Sequence, residues 1–201
     1  RLLDLMPANR AFFGSVPNIA DTVSEAHRLF LSRLASSPAL AQWWQQHDGG
    51  RVGADLDASI ARMRAFGDRI GDEIAIGAML KPDGSFDTLL VLTTLKQPQE
   101  FPAFLNQQLS EIDAKLKQQG ASVEDGLPVH LVTDSNALLG LTSTSKRDGL
   151  YLLQQEDLLI ASPSPAALAA FASRDLAATI APALLRSALT SRYARGVNWI
   201  G

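Results

Sequence analysis

EIAIGAMLKPDGSFDTLLVLTTL, residues 73–95, reads as two strands folded back on each other about a tight turn. Glu73 to Leu80 and Phe86 to Leu95 are rich in leucine and β-branched residues, and Lys81-Pro82-Asp83-Gly84 between them supplies the turn dihedrals that such side chains resist. On either side the apolar period changes from strand-like to helical. Downstream, Phe101, Phe104, Leu105, Leu109, Ile112 and Leu116 share one face of a helix running from Pro98 to a glycine stop at Gly120, with Glu111 and Lys115 one turn apart. Upstream, Ile19, Val23, Ala26, Phe30 and Leu34 predict a helix to about residue 35, with Asn18 available as its cap. Ser37-Pro38 then opens a short helix carrying Trp43 and Trp44, because serine caps and proline costs nothing in the first turn. A glycine-rich break follows from Asp48 to Gly53, and Leu56, Ile60, Met63, Phe66 and Ile70 predict a third helix beyond it.

The outer parts of the chain add strands. Ala11 to Val16 reads as a short buried strand, and Leu127 to Thr133, Ala137 to Ser143, Leu150 to Gln154 and Leu158 to Ala161 read as an antiparallel meander separated by turn-rich triplets and quartets. The last of these runs into Ser162-Pro163-Ser164-Pro165, where Ser164 repeats the cap-plus-proline arrangement of Ser37 and leads a helix with Leu168, Phe171 and Ala172 inward. A strand, a proline-bearing break and an amphipathic helix therefore recur at 11–23, 89–101 and 157–171. The expected class is α+β: an antiparallel sheet with helices packed on it, a split βαβ-like core with inserted helices and a C-terminal meander. We expect a single domain over 1–201, with extra helices at about 18–70 and a C-terminal helix and cut strand at about 182–201. Arg1 in place of methionine, and the strand-like Gly196 to Gly201, suggest a piece of a longer protein.

Composition narrows the function classes. The 201 residues include 46% hydrophobic and 19% charged side chains, an ordinary balance for a globular chain with a sizeable core. Eighteen basic residues are scattered against 21 acidic ones, which removes the electrostatic footprint of nucleic-acid binding. Apolar runs such as Leu89 to Leu92 fall far short of the roughly 18 residues needed to cross a bilayer. With no cysteine there is no disulfide, thiol nucleophile or thiolate metal site.

Each candidate for chemistry has a plainer structural role. Ser143-Thr144-Ser145-Lys146 matches the S-x-x-K pattern, but it falls in an expected turn and the companion K-T-G element is missing. His27, His47 and His130 show no paired metal-ligand spacing. The glycine- and aspartate-rich run from Asp48 to Asp57 lacks both EF-hand and phosphate-loop spacing, so Asp55 or Asp57 reads better as a helix cap. Asp72 and Glu73 are adjacent on a strand, point to opposite faces, and are expected in solvent. No catalytic, cofactor or metal site is assigned. Trp43 and Trp44 stand out instead: neighbours on a helix lie about 100° apart, so one ring must reach a core edge or an interface.

Three stretches, LMPANRAFFGSVPN at 5–18, GDEIAIGAML at 71–80 and DGLYLLQQEDLLIASPSPAALAAF at 148–171, resemble a broad group of uncharacterised bacterial proteins. Their α+β domains lie outside the cytoplasm, often behind a single N-terminal membrane anchor. The resemblance implies an extracytoplasmic location and a longer polypeptide, and it carries no catalytic motif. The favoured reading is a non-enzymatic binding or scaffold domain of the cell envelope, with a protein partner or a second copy of itself. Two alternatives remain: a hydrolase assembled from Ser143, Lys146 and His130, and a small-molecule or lipid pocket lined by Phe12, Phe13, Trp43, Phe101 and Phe104.

Overall fold

The computed structural model describes residues 2–5, 12–47, 49–80, 86–118, 128–141, 149–173, 191 and 199–200. In chain order its elements are α1 (Leu2–Leu5), β1 (Phe12–Pro17), α2 (Ala20–Ser36), α3 (Pro38–Gln46), α4 (Gly49–Gly67), β2 (Ile70–Leu80), β3 (Phe86–Leu95), α5 (Phe101–Gln118), β4 (Val129–Val132), α6 (Ala137–Leu141), β5 (Leu150–Gln155), β6 (Leu158–Ser162), α7 (Pro165–Ala172) and β7 (Trp199–Ile200). They divide into two compact units: a sheet unit, Arg1–Pro17 with Glu73–Gly201, and a helical unit, Asn18–Asp72.

The fold is α+β, a mostly antiparallel sheet with helices packed against it. Strand order is β4-β5-β6-β3-β2-β1-β7. β1 and β2 are direct antiparallel neighbours, in register from Phe12↔Ala78 to Pro17↔Glu73. The three helices between them are thus not a crossover but an insertion in place of a hairpin turn. The split βαβ element lies further on: β3 and β4 are parallel, joined through α5, with β6 and β5 between them. The chain moves outward from β3 to β4 and back inward from β4 to β5, so crossovers of one hand put α5 and α6 on opposite faces. Two observations agree. Leu138 of α6 packs in the core cluster with Leu153, whereas Gln154, pointing to the other face, donates from Nε2 to the Pro98 carbonyl at the head of α5 at 2.7 Å.

The core sits on the α6 and α7 face. Leu90 and Leu92 of β3, Leu158 and Ile160 of β6, and Tyr151 and Leu153 of β5 alternate with residues of the opposite face and meet Leu138, Ala167, Leu168 and Phe171. Phe101, Leu105 and Gln108 form the buried side of α5. Ser164 caps α7 as its sequence foretells, its hydroxyl accepting from the Ala167 N–H at 3.2 Å, and the buried Ser162 hydroxyl accepts from the Ser164 N–H at 3.1 Å. Both serines shape the bend between β6 and α7.

Several expectations are corrected. The strand expected at Ala137 to Ser143 is helical at Ala137–Leu141. Asp134 accepts from the Asn136 N–H at 2.9 Å, and the Ala137 N–H returns to the Asp134 carbonyl at 3.1 Å, so the Asp-Ser-Asn triplet starts a helical turn rather than separating two strands. With that strand gone, β4 pairs with β5 in parallel, and the meander contracts to the β5–β6 hairpin continued by β3. The expected glycine-rich break is helical from Gly49. Among the calls that fall outside the described residues are the turn at 81–84, the helix stop at Gly120, the helix expected from Pro182 except Ser191, and the strand from Gly196 except Trp199 and Ile200.

Candidate functional site

The helical unit begins and ends at one point. Asn18 N–H donates to the Asp72 carbonyl at 2.8 Å, extending the β1–β2 ladder by a rung. The Asn18 side chain then bonds three ways. Its Oδ1 accepts from the Ala20 N–H at 3.3 Å, and its Nδ2 donates to the Gly67 carbonyl at 2.8 Å and to the Gly71 carbonyl at 3.1 Å. Asn18 is therefore less a cap than a clamp between the start of α2 and the end of α4. Gly67 is required there, since a side chain would collide with the Ala20 methyl.

Inside the unit, α2 keeps Val23, Phe30 and Leu34 of the expected stripe on its shielded side but not Ile19 or Ala26. Ala26 is exposed and Ile19 is half in solvent, while His27 is 14% exposed and its Nε2 meets Asp57 Oδ1 of α4 at 2.9 Å. Asp57 is thus an interhelical partner, and it and Asp55 stand within α4, not at its cap. Ser37 caps α3 as anticipated, accepting from the Leu40 N–H at 3.4 Å. The tryptophans divide as helix geometry demands. Trp44 is partly buried, edge-on to Phe30 at 5.2 Å and facing Gly53. Trp43 is 50% exposed and lies flat against His47 at 4.9 Å. His47 Nδ1 donates to the Trp43 carbonyl at 2.8 Å at the end of α3, which fixes the imidazole under the indole. An aromatic already stacked on a neighbour and half in water forfeits less entropy on making a contact than a free side chain does.

Few side chains of this unit are shielded. Ala20 is its one buried hydrophobic residue among those described, and Ile19, Leu29, Leu31, Leu56 and Met63 join Trp43 at the surface. A three-helix unit with so little interior leaves apolar area available to a partner. Glu25 and Arg28 pair on the outside of α2 at 2.5 Å, and the guanidinium hydrogen bond holds the Glu25 carboxyl below its usual range and raises Arg28 in turn.

Much of each alternative site falls outside the described residues. Ser143 and Lys146 lie outside them. His130 is exposed on β4 and stacks on Tyr151 of the adjacent strand at 4.9 Å, a cross-strand ring contact rather than a poised base. Phe101 is buried against Phe104, centroids 6.2 Å apart, as core; the side chains of Phe12 and Phe13 lie outside what is described. Glu73 is not wholly solvated as expected, since Oε1 accepts from the buried Ser15 hydroxyl at 2.9 Å. No cluster of three or more His, Asp or Glu able to hold a metal occurs among the described residues, and none of their helices is long and apolar enough to cross a membrane. Comparison with protein-family models, curated proteins and solved structures finds no match.

Proposed function

We propose that the chain is a non-enzymatic binding or scaffold domain of the bacterial cell envelope, acting through the helical unit. The observation that carries this is Trp43: a large aromatic, half exposed, stacked on His47 and set in a unit that shields little apolar surface of its own. Tryptophan is among the side chains enriched at protein contacts. The extracytoplasmic placement, and an anchor in a longer polypeptide, rest on the resemblance carried by residues 5–18, 71–80 and 148–171.

A photo-crosslinking side chain at position 43, introduced into the full reading frame in the source cell, is expected to capture a protein. The same probe at Ser110, on the exposed face of α5, serves as the control. Equal labelling from both positions, or none from position 43, would overturn the reading. Recovery of the product in the cytosolic fraction would overturn the location.

A further inference from the structure

Two triplets stand seven residues apart on α4, Asp55-Leu56-Asp57 and Arg62-Met63-Arg64. Seven residues are two helical turns to within about 20°, so each member of one triplet lies on the same side as its counterpart in the other. Leu56 and Met63, 37% and 43% exposed, therefore form one apolar line. Asp55 and Arg62 flank it on one side, Asp57 and Arg64 on the other. The ordinary account of an acidic-then-basic helix is its macrodipole, which acts within the first and last turns. Here no acidic residue occupies the first turn of α4, and Asp55 and Asp57 stand beyond it. Nor does the dipole explain why leucine and methionine remain in water between the charges.

The composition of the unit narrows the occupant. Its six basic residues, Arg28, Arg33, Arg51, Arg62, Arg64 and Arg69, are all arginine, with no lysine, against seven acidic ones. An anionic membrane or a nucleic acid would call for an excess of positive charge. Arginine without lysine is the composition of a protein contact.

We propose that this face of α4 is a homodimer contact, with a second copy of the chain lying antiparallel across it about a two-fold axis near Ser59 and Ile60. Reversal sets Leu56 against Met63 of the second copy, and Met63 against its Leu56. A two-fold axis perpendicular to the helices lays each flank on the same flank of the copy, so Asp55 meets Arg62 and Asp57 meets Arg64. Every contact occurs twice, as an isologous interface requires. A parallel copy would set acid on acid and base on base. Asp57 keeps its bond to His27 while remaining 57% exposed, so both partners can be met. The proposal rests on the reading above that the helical unit acts by contact, and it names a partner for the α4 face of that unit, separate from Trp43 on α3.

Sedimentation velocity of the full 201-residue chain tests it. Concentration-dependent dimerisation is expected, weakened at least about tenfold by Arg62→Asp or by Asp55→Arg, since each reversal places like charges together at two points. These positions leave the Asp57–His27 contact intact, and unchanged far-UV circular dichroism establishes that each variant is folded. Joining both changes in one chain exchanges acid for base across the same axis and should restore the dimer. Mixing the two single variants should yield a heterodimer from two monomers. A chain that stays monomeric to its solubility limit, or a dimer indifferent to both reversals, overturns the proposal. If the monomeric chain still crosslinks a different protein from position 43, the homodimer falls and the binding reading survives; if it crosslinks nothing, both fall.

Discussion

Asn18 is half-buried, and its amide satisfies a backbone N–H and two backbone carbonyls where the helical unit closes. Asn18→Ala leaves those groups without a protein partner, and we expect a loss of about 1–3 kcal/mol in stability. Amide hydrogen exchange should register it as faster opening at the end of α4; unchanged exchange there would mean that the clamp contributes nothing. Glu25 makes the pH-dependent case. Arg28 holds its carboxyl below the usual range by hydrogen bonding, and the depressed value means that the pair supports α2 above the ordinary carboxylate range and is lost as pH falls through the lowered value. Arg28→Ala should return Glu25 to its ordinary titration by NMR, with little change in overall stability because both groups are fully exposed. Residue roles were legible where the partner is local. Ser37 and Ser164 bond three residues ahead, so the capping pattern suffices. The Asn18 clamp and the His27–Asp57 pair join residues distant in sequence, and spacing alone could not reveal that α2 turns His27 rather than Ala26 inward. The same limit applies to the candidate surface: that one of Trp43 and Trp44 must face outward followed from helix geometry, but which one depends on Phe30 and Gly53.

Elements were legible where period and punctuation agree. The three strand–proline–helix junctions form at β1 and α2, at β3 and α5, and at β6 and α7, because strand ends, proline and capping residues all point the same way there. α6 was missed because five residues, ALLGL, are too few to display a period, and its start is set by the Asp134 turn. α4 was begun too late because glycine weakens a helix only by about 1 kcal/mol, which packing of its first turns on α3 can offset. The β5–β6 hairpin offers an element-scale test. Gln155 and Leu158 are register partners, leaving a two-residue loop in which Glu156 takes φ 53°, a left-handed value that costs a side chain of this kind about 1 kcal/mol. Glu156→Gly should raise the melting temperature by about 2–4 °C, whereas Ser164→Ala should lower it by a similar amount through loss of the α7 cap. A fall on Glu156→Gly would mean that the carboxylate has a role that outweighs the strain.

At the level of the whole molecule, the class of fold was legible and the strand order was not, since pairing across the sheet leaves no local mark. The decisive fact is that Pro17 and Glu73 face each other across adjacent strands, with 55 residues of helical unit between them. Replacing Asn18–Asp72 by Asn-Gly should therefore leave a β1–β2 hairpin and a folded sheet unit, visible as retained strand signal and dispersed amide resonances. Loss of dispersion would show that the helices are needed for the sheet to form. The same adjacency sets a timetable during translation. β1 leaves the ribosome before β2, which follows only after the intervening 55 residues, a delay of about 3–11 s at ordinary elongation rates. Through that interval an aromatic, hydrogen-bond-hungry segment waits unpaired, so nascent chains stalled with β1 emerged and β2 still inside the ribosome should be the ones that chaperones hold.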